Sequence, residues 1–415
     1  MIPASQAKVH SLPRRAPQPS LRRLRELAAG AVLAGALAIL AGCSGISEVF
    51  NKNPPPGTPA PPVQSSEIGT GAVRVALILP LSAGGNAGTV ALSMKNAGEM
   101  ALSEFNSPNI QLLVKDDGGT SGGAQQAAQQ ALDEGAEIIL GPLFALTVGP
   151  VGALARSRGV PVIAFSTDAN VAARGVYLLS FLPESDVDRI IGYAVSQGRK
   201  SFAALMPDNA YGTVVEAAFK QQVARRGGRV VALERYPLDK SQMQGPVRNV
   251  AAAAAKGADA IFIPDGADAV PTVVQNLVSS GIDTKRVQLL GTGLWEDAQI
   301  FSNPALDGAW YAGPDSTGFR NFSARYRTRY GQDPVRTASL AYDAVALVAA
   351  LVKTQGKDRF AESVLTNSSG FTGIDGLFRF RPDGTNQRGL AVLRVSPTGG
   401  QMISAPPKGF GGSGT

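Results

Sequence analysis

The 415-residue sequence contains one cysteine, Cys43, and one histidine, His10, and aromatic residues make up only 6% of it. A His- or Cys-ligated zinc centre therefore has no ligand set, and thiol nucleophiles and Ser-His-Asp triads lack their members beyond residue 43. After residue 42 no Ser-x-x-Lys dyad occurs, and a Gly-x-x-x-x-Gly-Lys-Ser/Thr phosphate loop is absent throughout. The nearest nucleotide-type string, Gly291-Thr292-Gly293-Leu294-Trp295-Glu296, has Glu where the third glycine belongs. No metal, no cofactor and no catalysis are expected. Carboxylate-only chemistry, as in a cell-wall hydrolase, is the one enzymatic alternative left open. The apolar run Leu27 to Leu40 is shorter than the ~20 residues that a spanning helix needs.

What is present begins with charge. The formal charge is +7, but Lys8, Arg14, Arg15, Arg22, Arg23 and Arg25 against Glu26 place +5 of it in residues 1–42, leaving +2 for the rest. A body so nearly neutral has no electrostatic claim on a polyanion, so no nucleic-acid partner is expected. The basic stretch leads into the apolar run and then Leu40-Ala41-Gly42-Cys43. That order resembles a bacterial lipoprotein signal, which implies cleavage before Cys43 and a lipid anchor on it. Residues 1–42 are then a signal peptide. Residues 43–71, the acylated Cys and a stretch holding six prolines, form a tether that at ~3.1 Å per residue reaches at most ~85 Å. Residues 396–415, rich in Gly, Pro and Ser, are expected to be a disordered tail.

Hydrophobic residues are 44% of the chain, enough for a packed core, and at ~150 residues per domain the length predicts two or three domains. In the body, short β-branched runs alternate with longer helical patterns. Strands are expected over 73–79, 110–115, 137–140, 161–165, 201–206, 229–234, 258–263 and 287–290. Helices are expected over 87–105, 123–134, 187–196, 211–226 and 242–256, followed by a helical block at 316–330 and 336–354. A hairpin-like ending places 377–380 and 390–395 about Pro382-Asp383-Gly384. Strand–helix alternation, with strands lacking polar alternation, predicts an α/β protein of two doubly wound parallel-sheet lobes with a cleft between them.

In such sheets the loops at the carboxyl ends of the strands form the ligand crevice. These loops carry Ser82, Asp116 and Asp117, Phe144, Ser166-Thr167-Asp168, Tyr211, Asp265 and Trp295. Glycines there let backbone amides approach a ligand, and the helix N-termini that follow supply free N–H donors. Tyr211 and Trp295 would give flat apolar contact. The same residue types also cap helices in any fold of this kind, and Asp116 and Asp117 read as turn formers in preference to metal ligands.

The order VRVALILPLS, LLVKDDGG, EIILGPLFA, RGVPVIAFST, MPDNAYG resembles the type I periplasmic binding proteins of the leucine/isoleucine/valine-binding family over residues 72–395. The resemblance implies two lobes joined by three crossovers near Pro183, Pro314 and Gly373, so that 72–183 with 315–373 form lobe 1 and 184–314 with 374–395 form lobe 2. It implies a small polar ligand such as an amino acid, and an ABC permease as partner. Where the family's amino-acid binders hold the ligand carboxylate with hydroxyls, this chain has Phe144-Ala145-Leu146-Thr147, in which only Thr147 keeps one. Asp168 would face that carboxylate, and two like charges ~4 Å apart at an effective dielectric of ~20 repel by ~4 kcal/mol. The family's tyrosine is matched by Tyr211. The acid that receives the ammonium falls at Gly293, the nearest carboxylates being Glu296 and Asp297. A narrower resemblance, carried by the lipid signal, the Pro-rich tether and Gly84-Gly85-Asn86-Ala87-Gly88, is to penicillin-binding-protein activator lipoproteins. It implies a peptidoglycan synthase as partner. Ser44 after the anchor implies the outer membrane, facing the periplasm.

Overall fold

The structure, a computed structural model, describes residues 66–106 and 108–410. The expected signal peptide, Cys43 and most of the expected tether lie outside them.

The first sheet is built from β1 (Ser66–Ile68), β2 (Val73–Leu79), β3 (Ile110–Asp116), β4 (Ile138–Leu140), β5 (Val162–Ala164) and β6 (Val176–Leu178), in the order β1-β3-β2-β4-β5-β6. All of its pairings are parallel except β1 with β3. Residues 66–68, expected in the tether, thus close the edge of the sheet. The alternation of strand and helix is as read: α1 (Asn86–Glu104), α2 (Ser121–Asp133) and α3 (Ala145–Ser157) return the chain between strands. The α3 segment forms its helix in spite of Gly149, Pro150 and Gly152, which weaken its helical periodicity. Five of the seven β2 residues form an unbroken buried run, as a strand covered on both faces requires.

The second sheet uses β7 (Ser201–Pro207), β8 (Arg229–Tyr236), β9 (Ala260–Phe262), β10 (Gln288–Gly291) and β11 (Trp310–Gly313), ordered β11-β10-β9-β7-β8 and all parallel. Its helices are α4 (Pro183–Ser196), α5 (Ala210–Arg225), α6 (Gln244–Ala254) and α7 (Val270–Ser279). Two later helices, α8 (Ser316–Tyr330) and α9 (Ala338–Thr354), return to the first lobe, where α9 lies against α1. Eleven of the α9 residues are buried, consistent with a helix enclosed by the lobe.

The C-terminal part departs from expectation. Strands β12 (Phe371–Gly373), β13 (Gly376–Phe380) and β14 (Asn386–Arg388) form a separate antiparallel sheet. Phe378 and Phe380 bury themselves in the first lobe's core with Tyr177 and the α9 side chains. Residues 374–388 therefore belong with lobe 1. The hairpin partner of β13 is β14, whereas β15 (Ala391–Ser396) crosses to pair antiparallel with β11. The third crossover lies at Gly389 and Leu390 instead of near Gly373. Nor are residues 396–410 a loose tail: β16 (Gly399–Ser404) pairs with β15 at the edge of the second sheet, and the Arg379 guanidinium lies 4.7 Å from the Phe410 ring centroid.

Candidate ligand-binding cleft

On lobe 1 the strand-end loops are stitched to themselves. Ser82 is exposed, and its amide donates to both Asp116 oxygens at 3.1 and 3.2 Å. Asp117 is fully buried, with Oδ1 accepting from the Gly119 amide at 2.8 Å and Oδ2 unpartnered. Burial and the neighbouring Asp116 charge push its carboxyl up to about 6 against the opposing Gly119 bond. Phe144, half-buried, lies across Gly119: a Cβ there would stand 3.4 Å from its Cε2, and φ of +70° makes a glycine necessary in any case.

Of the lobe 1 hydroxyls expected to hold a carboxylate, Thr147 is engaged as a donor and Ser166 as an acceptor. Thr147 is buried in the first turn of α3 and donates to the Phe144 carbonyl at 2.8 Å. Ser166 accepts from the Asp168 amide at 3.1 Å. Asp168 caps the short turn Ala169–Val171, accepting from the Asn170 amide at 2.9 Å; Thr167 is exposed. Capping, the ordinary role of such residues, accounts for Asp168.

On lobe 2, Asn209 caps α5 through the Gly212 amide at 2.8 Å, which sets Tyr211 in the first turn. The Tyr211 hydroxyl is 3.4 Å from Thr292 Oγ1. Burial, then the charges of Asp186 and Asp265, push its phenol far above the ordinary value, so it stays a neutral donor. Asp265 accepts from the Tyr236 hydroxyl at 2.6 Å and the Gly266 amide at 2.7 Å, which fixes its orientation.

Trp295 corrects the sequence reading. It is fully buried in the second lobe's core beside Leu289, Ile300 and Tyr311, not at the crevice. The turn Gly293–Trp295 folds the indole back under β10, so close to Gly291 that a Cβ there would fall 2.1 Å from Cδ2. Glu296 and Asp297, the acids nearest in sequence to the expected ammonium site, are occupied elsewhere. Glu296 accepts from the Tyr311 hydroxyl, and Asp297 caps Ala298–Phe301 through the Gln299 amide at 2.7 Å.

The acid found next to Gly293 comes from another element. Asp186, in the first turn of α4, accepts from the Gly293 amide at 3.4 Å. Burial pushes its carboxyl up to about 7, with the Gly293 bond and Arg388 opposing and Glu184 adding. Sequence reasoning passed over it because an acidic first turn after Pro183 is an ordinary helix start.

Where the chain crosses between lobes, Phe181 lies between two guanidinium groups, its ring centroid 4.6 Å from both Arg336 and Arg388. Arg336 grips the buried Asp375 with two bonds of 3.1 and 2.5 Å, and Asp375 also accepts from Ser339 at 2.7 Å. A cavity of about 220 Å³ opens beside this cluster between Gly293, Glu296, Pro314, Phe319 and Arg336. Among the described residues no group of three or more His, Cys, Asp or Glu side chains could hold a metal ion, and no helix is long and apolar enough to cross a membrane.

The model of a family described as periplasmic binding protein matches residues 72–401. No curated protein matches the chain. Among solved structures, a Rhodospirillum rubrum protein provisionally assigned to a branched-chain amino acid ABC transporter superposes with a TM-score of 0.72 at 20% identity, covering 80% of this chain and 100% of that one. A branched chain amino acid ABC transporter periplasmic ligand-binding protein from Burkholderia xenovorans LB400 gives 0.67 at 18% identity, over 82% of this chain and 97% of its own. An ABC transporter substrate-binding protein from Desulfitobacterium hafniense, in complex with Leu, gives 0.60 at 18% identity, over 80% and 99%. At these identities the likeness is one of fold.

Proposed function

The chain belongs to the periplasmic binding protein family, and on that premise we propose that it binds an amino acid or a related amine-bearing small molecule between its lobes for an ABC-type importer. The observation that carries this reading is the setting of Tyr211, half-buried with its hydroxyl 3.4 Å from Thr292 Oγ1, while Asp186 accepts from the adjacent Gly293 amide at 3.4 Å and Asp265 from the Tyr236 hydroxyl at 2.6 Å, so that a phenol oxygen and two carboxyl groups offer acceptors on the same lobe. Carboxylates grouped about a phenol attract an ammonium group, and in a partly desolvated site such a charge-assisted bond outweighs a neutral one by about twofold. The opposite wall offers the Phe144 ring for apolar contact. Thr147 already donates its hydroxyl to the Phe144 carbonyl, so this wall holds the ligand carboxylate less firmly than lobe 2 holds the amine. In this reading Cys43 carries the lipid that holds the protein at a membrane and the segment up to residue 65 is the tether; Ser44, which would direct it to the outer membrane, away from an inner-membrane importer, speaks for the alternative below.

Calorimetric titration with leucine, leucinamide and isovalerate tests the proposal. Leucinamide should bind at least as tightly as leucine, and isovalerate should not bind. Binding of isovalerate, or of leucine alone, would remove the amine-directed reading.

The Thr147 hydroxyl, spent on the Phe144 carbonyl, and the capping of the 169–171 turn by Asp168 favour a second reading, in which the chain activates a peptidoglycan synthase by protein contact. It predicts co-purification with the synthase and stimulation of glycan synthesis with no ligand response; a synthase that neither binds nor responds would eliminate it.

A further inference from the structure

After the third crossover the chain stays with lobe 2 through β15 and β16, yet the segment that follows ends on lobe 1. Arg189 of α4 ties its start to lobe 2. The Arg189 Nε donates to the Leu390 carbonyl at 2.7 Å, and one terminal nitrogen donates to Ser404 Oγ at 2.7 Å and to the Ser404 and Ala405 carbonyls at 3.3 and 3.0 Å. The chain then passes directly over the crossover, where a Cβ at Gly389 would stand 3.3 Å from Pro407 Cγ. It finishes with the Phe410 ring on lobe 1, its centroid 4.7 Å from the Arg379 guanidinium of β13. A Cβ at Gly370, just before β12, would stand 2.9 Å from Phe410 Cε2, so the ring lies against backbone as well. The Arg379 head is itself held, donating to Gln387 Oε1 at 3.0 and 2.8 Å and to the Ser368 carbonyl at 3.1 Å. Residues 407–409 are exposed, whereas Phe410 is half-buried: an aromatic anchor at the end of an exposed run.

The ground that this segment crosses is open. Helices α4 and α5 of lobe 2 face the β13–β14 hairpin of lobe 1 across a cavity of about 660 Å³, with Gln221 and Arg225 on one wall and Arg381, Thr385 and Gln387 on the other. Ala405, Pro407 and Phe410 line the same cavity. Polar walls with space between them make no packed apolar interface, and lobes joined in this way swing about their crossovers as the default motion. A segment fixed to one lobe by a guanidinium and to the other by a ring sets a limit on that swing. Residues 405–410 reach at most ~18 Å between their end Cα atoms when fully extended.

We propose that residues 405–410 are a strap, a fourth tie between the lobes that restricts how far they separate beside the crossovers, with Phe410 on Arg379 as its releasable end. A ring over a guanidinium is a single, partly solvated contact, weaker than the four hydrogen bonds by which Arg189 holds the other end, so the strap detaches from lobe 1 first. With Phe410 seated, the gap between α5 and the hairpin keeps its width; with Phe410 released, only the three crossovers govern the angle between the lobes. The strap acts on lobe geometry and does not depend on which ligand the cleft takes.

The test measures the gap directly and needs no ligand. Nitroxide labels at Ala217→Cys on α5 and Arg381→Cys in the hairpin, both exposed positions on either side of the cavity, are placed in the full chain with Cys43→Ser, which leaves them the only thiols. Double electron–electron resonance then reads the distribution of distances between them. With Phe410 present the distribution should be narrow. Phe410→Ala, with folding confirmed by circular dichroism, should broaden it and shift it to longer distances, and ending the chain at Ala405 should do the same. Phe410→Tyr keeps a ring for Arg379 and should restore the narrow distribution. A distribution that neither the alanine variant nor the shortened chain changes, or one that tyrosine broadens as much as alanine does, would overturn the proposal.

Discussion

Replacing Asp343 with asparagine should flatten the pH dependence of stability. Asp343 sits in α9, is 3% exposed, and accepts from the Ile374 amide at 2.8 Å through Oδ1, while Oδ2 is unpartnered. Burial pushes its carboxyl from 3.8 up to about 7, the Ile374 bond opposing and Asp375 adding. Between those values the folded chain keeps a proton that the unfolded chain has released. The folded state therefore binds more protons there, and wild-type stability falls as pH rises through the window. One such proton changes stability by about 1.4 kcal/mol per pH unit. From about pH 5 to about pH 8 the Asp343 contribution is then roughly 3 kcal/mol, with most of the change complete near the folded value. Asp186, also raised to about 7, and Asp117, raised to about 6, act with the same sign and remain in the variant. Asparagine keeps the size and the acceptor for Ile374 but has no proton to lose. Urea unfolding of both proteins at the two pH values measures the effect: the variant should gain on wild type by roughly 3 kcal/mol on going to the higher pH. A stability difference that is the same at both pH values would falsify the claim that Asp343 is held protonated by the fold.

Three other outcomes are expected. Gly291→Ala puts a Cβ 2.1 Å from the Trp295 ring, so overpacking should cost about 1–3 kcal/mol in thermal or chemical unfolding; an unchanged midpoint would show that the indole is not pinned under β10. Ending the chain at Pro397 removes β16 and the Ser404 and Ala405 carbonyls that accept from Arg189 at 3.3 and 3.0 Å. A loss of roughly 2–4 kcal/mol is expected, whereas a loose tail would leave the unfolding curve where it was. Tyr211→Phe should weaken leucinamide binding by about tenfold, the worth of one hydrogen bond, with less than about 0.5 kcal/mol change in stability; unaltered affinity by calorimetry would take the phenol out of the site.

The periodic parts of the fold were legible as sequence. Val73–Leu79 and Ser316–Tyr330 have the bounds that their patterns predict, because β-branched runs and long apolar stripes report local geometry directly. Elements without a strong period were harder to read: the short strands β6 and β11 were missed, and α3, with its internal glycines and proline, carries only a weak helical pattern. At the cleft, Tyr211 and Asp265 could be named because each follows a strand. Asp186 could not, since it reaches Gly293 across 107 positions.

The amino-acid sequence by itself determined the alternation of strands and helices, the absence of thiol and imidazole chemistry beyond residue 43, and the loops at which ligand contacts were to be sought. Hydrophobic periodicity and residue inventory are properties of short segments, and no partner is needed to read them. The tertiary structure decided which candidates are free to act. Trp295 turned inward because the flat backbone at Gly291 leaves room for an indole, and Thr147, Asp168 and Glu296 found partners within their own lobes. It also assigned β13 and β14 to one lobe and β15 and β16 to the other. A strand's partner depends on which edge and which core are open to it, and those are long-range contacts. The burial of the Arg388 guanidinium arises in the same way, from an Asn-Gln-Arg strand laid beside a crossover two hundred residues earlier in the chain.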